Sequence, residues 1–211
     1  METDISQTTA RSPAIRADAR RKHLLETARA LFTAQGFHQT GMAKIAEVSQ
    51  VKVGQIYRDF SSKEDIIAAI AEADVSAWLC EEELAAAVSL GDRGAVRAWI
   101  RRIASHLDQK DACLLAEIVA EVGRNGRVAA IHREMDTRIR GTLAAALAAL
   151  APSPDKAGER EQLTEMILGM GVGLMVRQIL NPEMDLPTSC RLMVDIIDDR
   201  IDLLTGETAG R

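Results

Sequence analysis

"QVKVGQIYRDFSSKED", residues 50–65, is too polar for an interior and too short to stand as a helix by itself. Isolated helices below about 12–15 residues are marginal in water. The stretch sets Lys52, Gln55, Tyr57 and Arg58 around few apolar anchors and breaks at Ser61 and Ser62. Ile56 and Phe60 stand four apart, so they share one helical face. The segment therefore has a side to bury and a side to show. Something must hold the first, and something outside must meet the second.

The holding elements lie just upstream. From Asp18 the apolar spacing is helical, with Leu24, Leu25, Ala28, Leu31 and Phe32 on one face, and Gly36 ends that helix. Thr40 or Gly41 opens a short second helix whose apolar side is Met42, Ile45, Ala46 and Val48. "VSQV", residues 48–51, makes a tight turn into the quoted stretch. Two short helices joined in this way, the second exposing polar side chains, form a helix-turn-helix. Ile45, Ala46, Val51, Ile56 and Phe60 supply its hidden side. Lys52, Val53, Gly54, Gln55 and Tyr57 remain outward.

Downstream the pattern stays helical. Ser61 or Ser62 caps a fourth helix that runs to about residue 89, with Glu64 and Asp65 suiting its dipole. Further helices are predicted over 93–107, 110–122, 127–150 (capped by Asn125), 159–180 and 187–205, with residues 151–158 as the clearest linker. The fold class is all-α: an N-terminal three-helix unit and a C-terminal helical bundle, about nine helices in all. Residues 1–15 read as a disordered basic arm and 16–62 as the helix-turn-helix domain, completed by the start of the fourth helix. Residues 63–211 form the rear domain.

Charge divides the same way. The chain of 211 residues carries −5, yet residues 1–63 hold ten Lys/Arg against six Asp/Glu, which is +4. A basic head on an acidic body suits a head that meets a polyanion. The three cysteines, Cys80, Cys113 and Cys190, show no metal-site or disulfide spacing, so ordinary thiols in a reducing cytosol are expected. No signal peptide, membrane-spanning run, cofactor or metal site is expected. His23, His38, His106 and His132 have no ligand spacing, and no nucleophile elbow, phosphate loop or dinucleotide fingerprint occurs, so an enzyme is not expected.

"LLETARALFTAQGFHQT", residues 24–40, and "IAEVSQVKVGQIYRDFSSKEDI", residues 45–66, resemble the tetracycline-repressor (TetR) family of bacterial regulators. The resemblance covers about residues 20–70. It implies that Lys52, Val53, Gly54 and Gln55 face bases: Lys52 toward guanine, Gln55 toward adenine, Val53 against a thymine methyl. Tyr57 matches a tyrosine that contacts the DNA backbone. Thr40 and Lys63, at the starts of the second and fourth helices, are expected on phosphate, and Arg11, Arg16, Arg20 and Arg21 in a basic arm. Two departures stand out. Ser49 and Gln50 replace the usual Ala-Gly of the turn, and Lys52 replaces a capping Ser or Thr.

The resemblance also makes residues 63–211 a ligand-binding and dimerisation domain. It pairs the last two helices of each subunit into a four-helix bundle, here through Gly169, Gly173, Ile196, Ile197 and Ile201. It encloses a small-molecule pocket, with Trp78, Trp99, Ile103, His106, Leu114, Ile118, Met170 and Leu174 as candidate lining. The function so implied is a homodimeric, cytoplasmic repressor. It binds a pseudo-palindromic duplex operator, is released by a small apolar effector, and has no membrane partner. The rival is an all-helical interaction module whose helix-turn-helix no longer reads DNA, and a cysteine redox switch is a weaker third.

Overall fold

In a computed structural model, residues 13–105 and 109–207 are described. They form ten α-helices: α1 (Pro13–Gln35), α2 (Met42–Ser49), α3 (Val53–Asp59), α4 (Lys63–Leu79), α5 (Glu81–Ser89), α6 (Arg93–Ser105), α7 (Gln109–Val122), α8 (Gly126–Leu150), α9 (Ala157–Leu180) and α10 (Leu186–Thr205), with a 3-10 turn at Pro154–Lys156. The all-α class is as expected, and no strand occurs among the described residues. Two compact units divide after Ile67, within α4.

Two boundaries differ from the sequence reading. α1 starts at Pro13, which is tolerated in a helix's first turn because its missing N–H needs no partner there. Residues 1–12 of the expected arm, Arg11 included, lie outside the described residues. The single helix expected to residue 89 is divided at Cys80, whose φ of 45° is left-handed and ends α4. The Cys80 carbonyl then accepts from Glu83 N at 3.0 Å and opens α5. No glycine or proline marks this break. Three glutamates in the first turn of α5 favour the restart through the helix dipole.

In the first unit α1 packs on α2, and α2 on α3. Leu24, Ala28, Phe32, Phe37, Ile45, Ile56 and Phe60 are buried, and the Phe32 and Phe37 rings lie 5.1 Å apart. Gly36 takes φ 85° and closes α1, a conformation that glycine enters without a Cβ clash. The second unit is a bundle in which α6 lies against α5, α8 and α10, and α9 against α7, α8 and α10. Trp99, Ile100, Ile103, Leu143, Leu147, Ile167, Ile197 and Ile201 belong to its core. Asn125 caps α8, accepting from Arg127 N and Val128 N, and Asp185 caps α10 through Thr188 N.

Contrary to expectation, one segment is long and apolar enough to cross a membrane by length and composition: Pro154–Leu180. Only 17% of its most apolar window is buried in this chain, so α9 is not simply a core helix.

Candidate nucleic-acid interface

The turn between α2 and α3 is built from an unfavourable residue that its neighbours hold in place. Gln50 adopts φ 57° and ψ 22°, the left-handed region, at a cost of about 1–2 kcal/mol for a residue with a Cβ. Its side-chain amide donates to Glu47 O at 2.7 Å. Ser49 is buried and its hydroxyl accepts from Val51 N at 3.4 Å. The Ser49 carbonyl accepts from His23 Nε2 at 3.2 Å, so α1 braces the turn. The departure at Ser49 and Gln50 therefore leaves the turn intact.

α3 begins at Lys52, whose carbonyl accepts from Gln55 N at 2.8 Å and Ile56 N at 3.2 Å. Its side chain gives no cap bond, as lysine's chemistry requires. Ile56 is fully buried and pins the helix. Around that pin Lys52 and Gly54 are exposed, Gln55 is half-buried, and Val53 and Tyr57 are 42% and 52% exposed. A Cβ placed on Gly54 would meet nothing within 4 Å. The fold thus leaves the space outside Gly54 free. Val48, expected on the apolar side of α2, is 47% exposed beside the turn.

Thr40 and Lys63 are not available as expected. Thr40 is fully buried, and its hydroxyl donates to Gly36 O at 2.9 Å. The Lys63 ammonium turns back to donate to Phe37 O at 2.8 Å and His38 O at 3.2 Å, and sits 4.4 Å from the Phe37 ring centroid. The start of α4 is also filled from within. Ser62 and Asp65 form a reciprocal cap: Asp65 N donates to Ser62 Oγ, and Asp65 Oδ2 accepts from Ser61 N and Ser62 N. A protein carboxylate already holds the place expected for phosphate. We therefore expect Lys63→Ala to cost about 1 kcal/mol of stability. The salt dependence of any DNA binding should be unchanged, which a urea melt and a salt titration check together.

Of the expected arm, Arg20 pairs with Asp59 at 3.8 Å and Arg21 lies 4.7 Å from the Phe60 ring centroid, so both brace the end of α3. The contacts of Lys63, Arg20 and Arg21 depend on partners far along the chain that no local pattern reveals, whereas Thr40 turns back onto Gly36, four residues upstream.

In the second unit the candidate pocket residues largely pack as core. Trp99, Ile103 and Leu114 are buried, and the Trp99 indole donates to Leu79 O at 2.6 Å. Trp78, Met170 and Leu174 pack against that core, while the Trp78 indole N–H is buried with no hydrogen-bond partner among the described residues. Ile118 is half-buried on α7, and His106 lies outside the described residues. Two grooves are lined by other residues, one between α6 and α10 and one between α8 and α9.

The candidate dimer residues separate by face. Ile197 and Ile201 are fully buried within the chain, so their expected place at the dimer interface is corrected. Each step along a helix turns the side chain by about 100°, enough to part Ile197 from Ile196. Gly169, Gly173 and Ile196 are exposed. With Val172, Val176 and Leu180 on α9 and Leu192 and Leu203 on α10, they make an apolar stripe at spacings of three, four and seven. Cys190 is buried, and burial pushes its thiol pKa up, which opposes thiolate chemistry there.

Two family models cover the chain. Residues 24–70 match bacterial regulatory proteins of the tetR family, and residues 92–204 match the C-terminal domain of BetI-type transcriptional repressors. Neither describes an enzyme. No curated protein matches the chain. Among solved structures, Salmonella enterica GusR is 22% identical over 89% of this chain and 96% of its own, with a TM-score of 0.65. A protein from Pseudomonas aeruginosa PAO1 described as a transcriptional regulator is 21% identical over 90% and 92%, with a TM-score of 0.71. Bacillus subtilis FadR, solved with stearoyl-CoA, is 18% identical over 83% and 96%, with a TM-score of 0.65. At these identities the likeness shows the fold.

Proposed function

Because this chain belongs to the TetR family of bacterial transcriptional regulators, we propose that it is a homodimeric repressor that reads a pseudo-palindromic operator with α3 and is released by a small molecule with an apolar body. The observation that carries the reading is the outward tip of α3: Lys52, Val53, Gly54, Gln55 and Tyr57 surround a fully buried Ile56. A short helix presented in this way enters the major groove by its N-terminal end. Gly54 lets the backbone approach, Lys52 and Gln55 supply donors for base edges, and Tyr57 reaches a phosphate. Arg58, exposed in the last turn of α3, adds positive charge to the head.

Repression follows the description of the C-terminal family model, and response to a small molecule follows the likeness to FadR, whose structure holds stearoyl-CoA. Pairing through the α9–α10 stripe would give the assembly two α3 tips for two half-sites, which in helix-turn-helix operators lie about 34 Å, one groove turn, apart. A cytoplasmic location suits a protein that meets chromosomal DNA. Within the second unit, Arg138 on α8 gathers Glu72 on α4 at 2.7 Å and Glu81 on α5 at 2.6 Å. A shift of α8 on effector binding would therefore be passed to α4.

The test is a mobility-shift titration on the DNA upstream of the protein's own gene, with single-base variants of the bound site. Gln55→Ala should lower discrimination at one base pair per half-site by about 1–3 kcal/mol and leave the other positions alone. Equal losses on cognate and scrambled duplex would remove the base-reading role from Gln55. Failure of the native chain to bind any duplex would favour the interaction-module reading.

A further inference from the structure

The last turn of α6 and the first turns of α10 enclose a groove of about 520 Å³, inside the range of small-molecule sites. Leu186, Pro187 and Val194 give it an apolar floor, and Arg101, Arg102 and Arg191 line it. Residues 64–211 hold 16 Lys/Arg against 25 Asp/Glu, so three guanidiniums around one groove run against the charge of the whole region. Their partners differ. Arg101 Nε is matched by Asp198 at 2.7 Å. Arg102 donates to the carbonyls of Trp78 and Leu79, with the exposed Glu83 carboxylate 3.8 Å away. Arg191 donates to the Thr188 hydroxyl at 2.5 Å, and that hydroxyl donates in turn to Asp185 Oδ2 at 2.6 Å, so the Asp185 carboxylate stands one hydrogen bond beyond the guanidinium. Among the described residues no carboxylate forms a direct salt bridge with Arg191, although the Thr188 hydroxyl and amide and, in smaller part, the Arg191 charge hold the Asp185 carboxyl below the ordinary carboxylate range, and Asp195 also lines the groove.

We propose that this groove binds an amphipathic monoanion, a carboxylate on a short apolar body. Arg191 and the terminal N–H groups of Arg101 take the carboxylate, and Leu186, Pro187 and Val194 cover the tail. A charge-assisted pair of this kind is favoured where an apolar floor already excludes water from one side. The rotation of α10 sets Pro187, Arg191 and Val194 on a different face from Leu192, Ile196 and Leu203, so a second copy seated on the apolar stripe leaves the groove open. The inference deepens the effector part of the regulatory reading and rests on it only for the consequence of binding.

The experiment is calorimetric titration of the full chain with octanoate, octan-1-ol and octylammonium, without DNA. Octanoate should bind saturably, and at least about tenfold more tightly than the alcohol or the amine. Arg191→Gln should weaken octanoate about tenfold while leaving weak octanol binding and the melting temperature unchanged. Arg133→Gln, on the exposed surface of α8, should change nothing. Octanoate binding that is absent, or no tighter than octanol, overturns the proposal. So does an Arg191→Gln chain that binds octanoate as the parent does. Operator binding is measured separately, so loss of the groove and loss of the DNA reading are different results.

Discussion

Gly54→Glu is expected to weaken operator binding at least about a hundredfold while the protein stays folded. The two halves of that expectation have separate causes. In the free chain a Cβ at position 54 has open space around it, and replacing a helical glycine removes a cost of up to about 1 kcal/mol. The melting temperature should therefore hold or rise. Against DNA the same side chain would stand where backbone and base edges meet, and it would bring a negative charge to a polyanion. Gly54→Ala separates the effects. It adds bulk without charge, so it should bind less well than the parent and better than the glutamate variant. Intact operator binding by Gly54→Glu would place the contact surface elsewhere.

The second large effect concerns assembly. Val176→Glu combined with Ile196→Glu should convert dimers to monomers in sedimentation, and should lower operator affinity by about a hundredfold or more through loss of bivalency. Both side chains are exposed on the apolar stripe, at 46% and 39%. Charges there cost this chain little when it is alone and much when the stripe is covered. Ile197→Ala is the contrast. Ile197 is fully buried, so its truncation should cost about 2–5 kcal/mol of stability without acting on the stripe. A pair of glutamates that leaves the dimer intact would show that α9 and α10 do not form the seam.

The helix-turn-helix was legible because its buried set follows from spacing alone. Ile45, Ala46, Val51, Ile56 and Phe60 are all inward in the structure, and the residues left over at the tip of α3 are outward or half-outward. Side chains whose role depends on which backbone carbonyl they reach were not legible. Lys63 looks like a free cation until the carbonyls of Phe37 and His38, 26 and 25 residues away, are seen to hold it. Thr40 looks like a phosphate ligand until Gly36 O is seen to take its hydroxyl. The break at Cys80 is invisible because a left-handed cysteine carries no composition signal. The rear domain was hardest. Two neighbouring isoleucines, Ile196 and Ile197, are equally apolar, and only the packing of α10 on α6 and α9 decides which one is spent inside the chain. The candidate pocket was ambiguous for the same reason: core and ligand lining have one composition, and Trp99 and Ile103 belong to the core while Trp78, Met170 and Leu174 only pack against it.

The most direct measurement is a selection of genomic DNA fragments by the purified native chain and by Gly54→Glu side by side. The native chain should enrich a small set of fragments sharing a twofold-symmetric motif whose half-sites lie on one face of the duplex, and the variant should enrich none. Enrichment of the same fragments by both chains, or of no fragments by the native chain, would contradict an α3 tip that reads DNA.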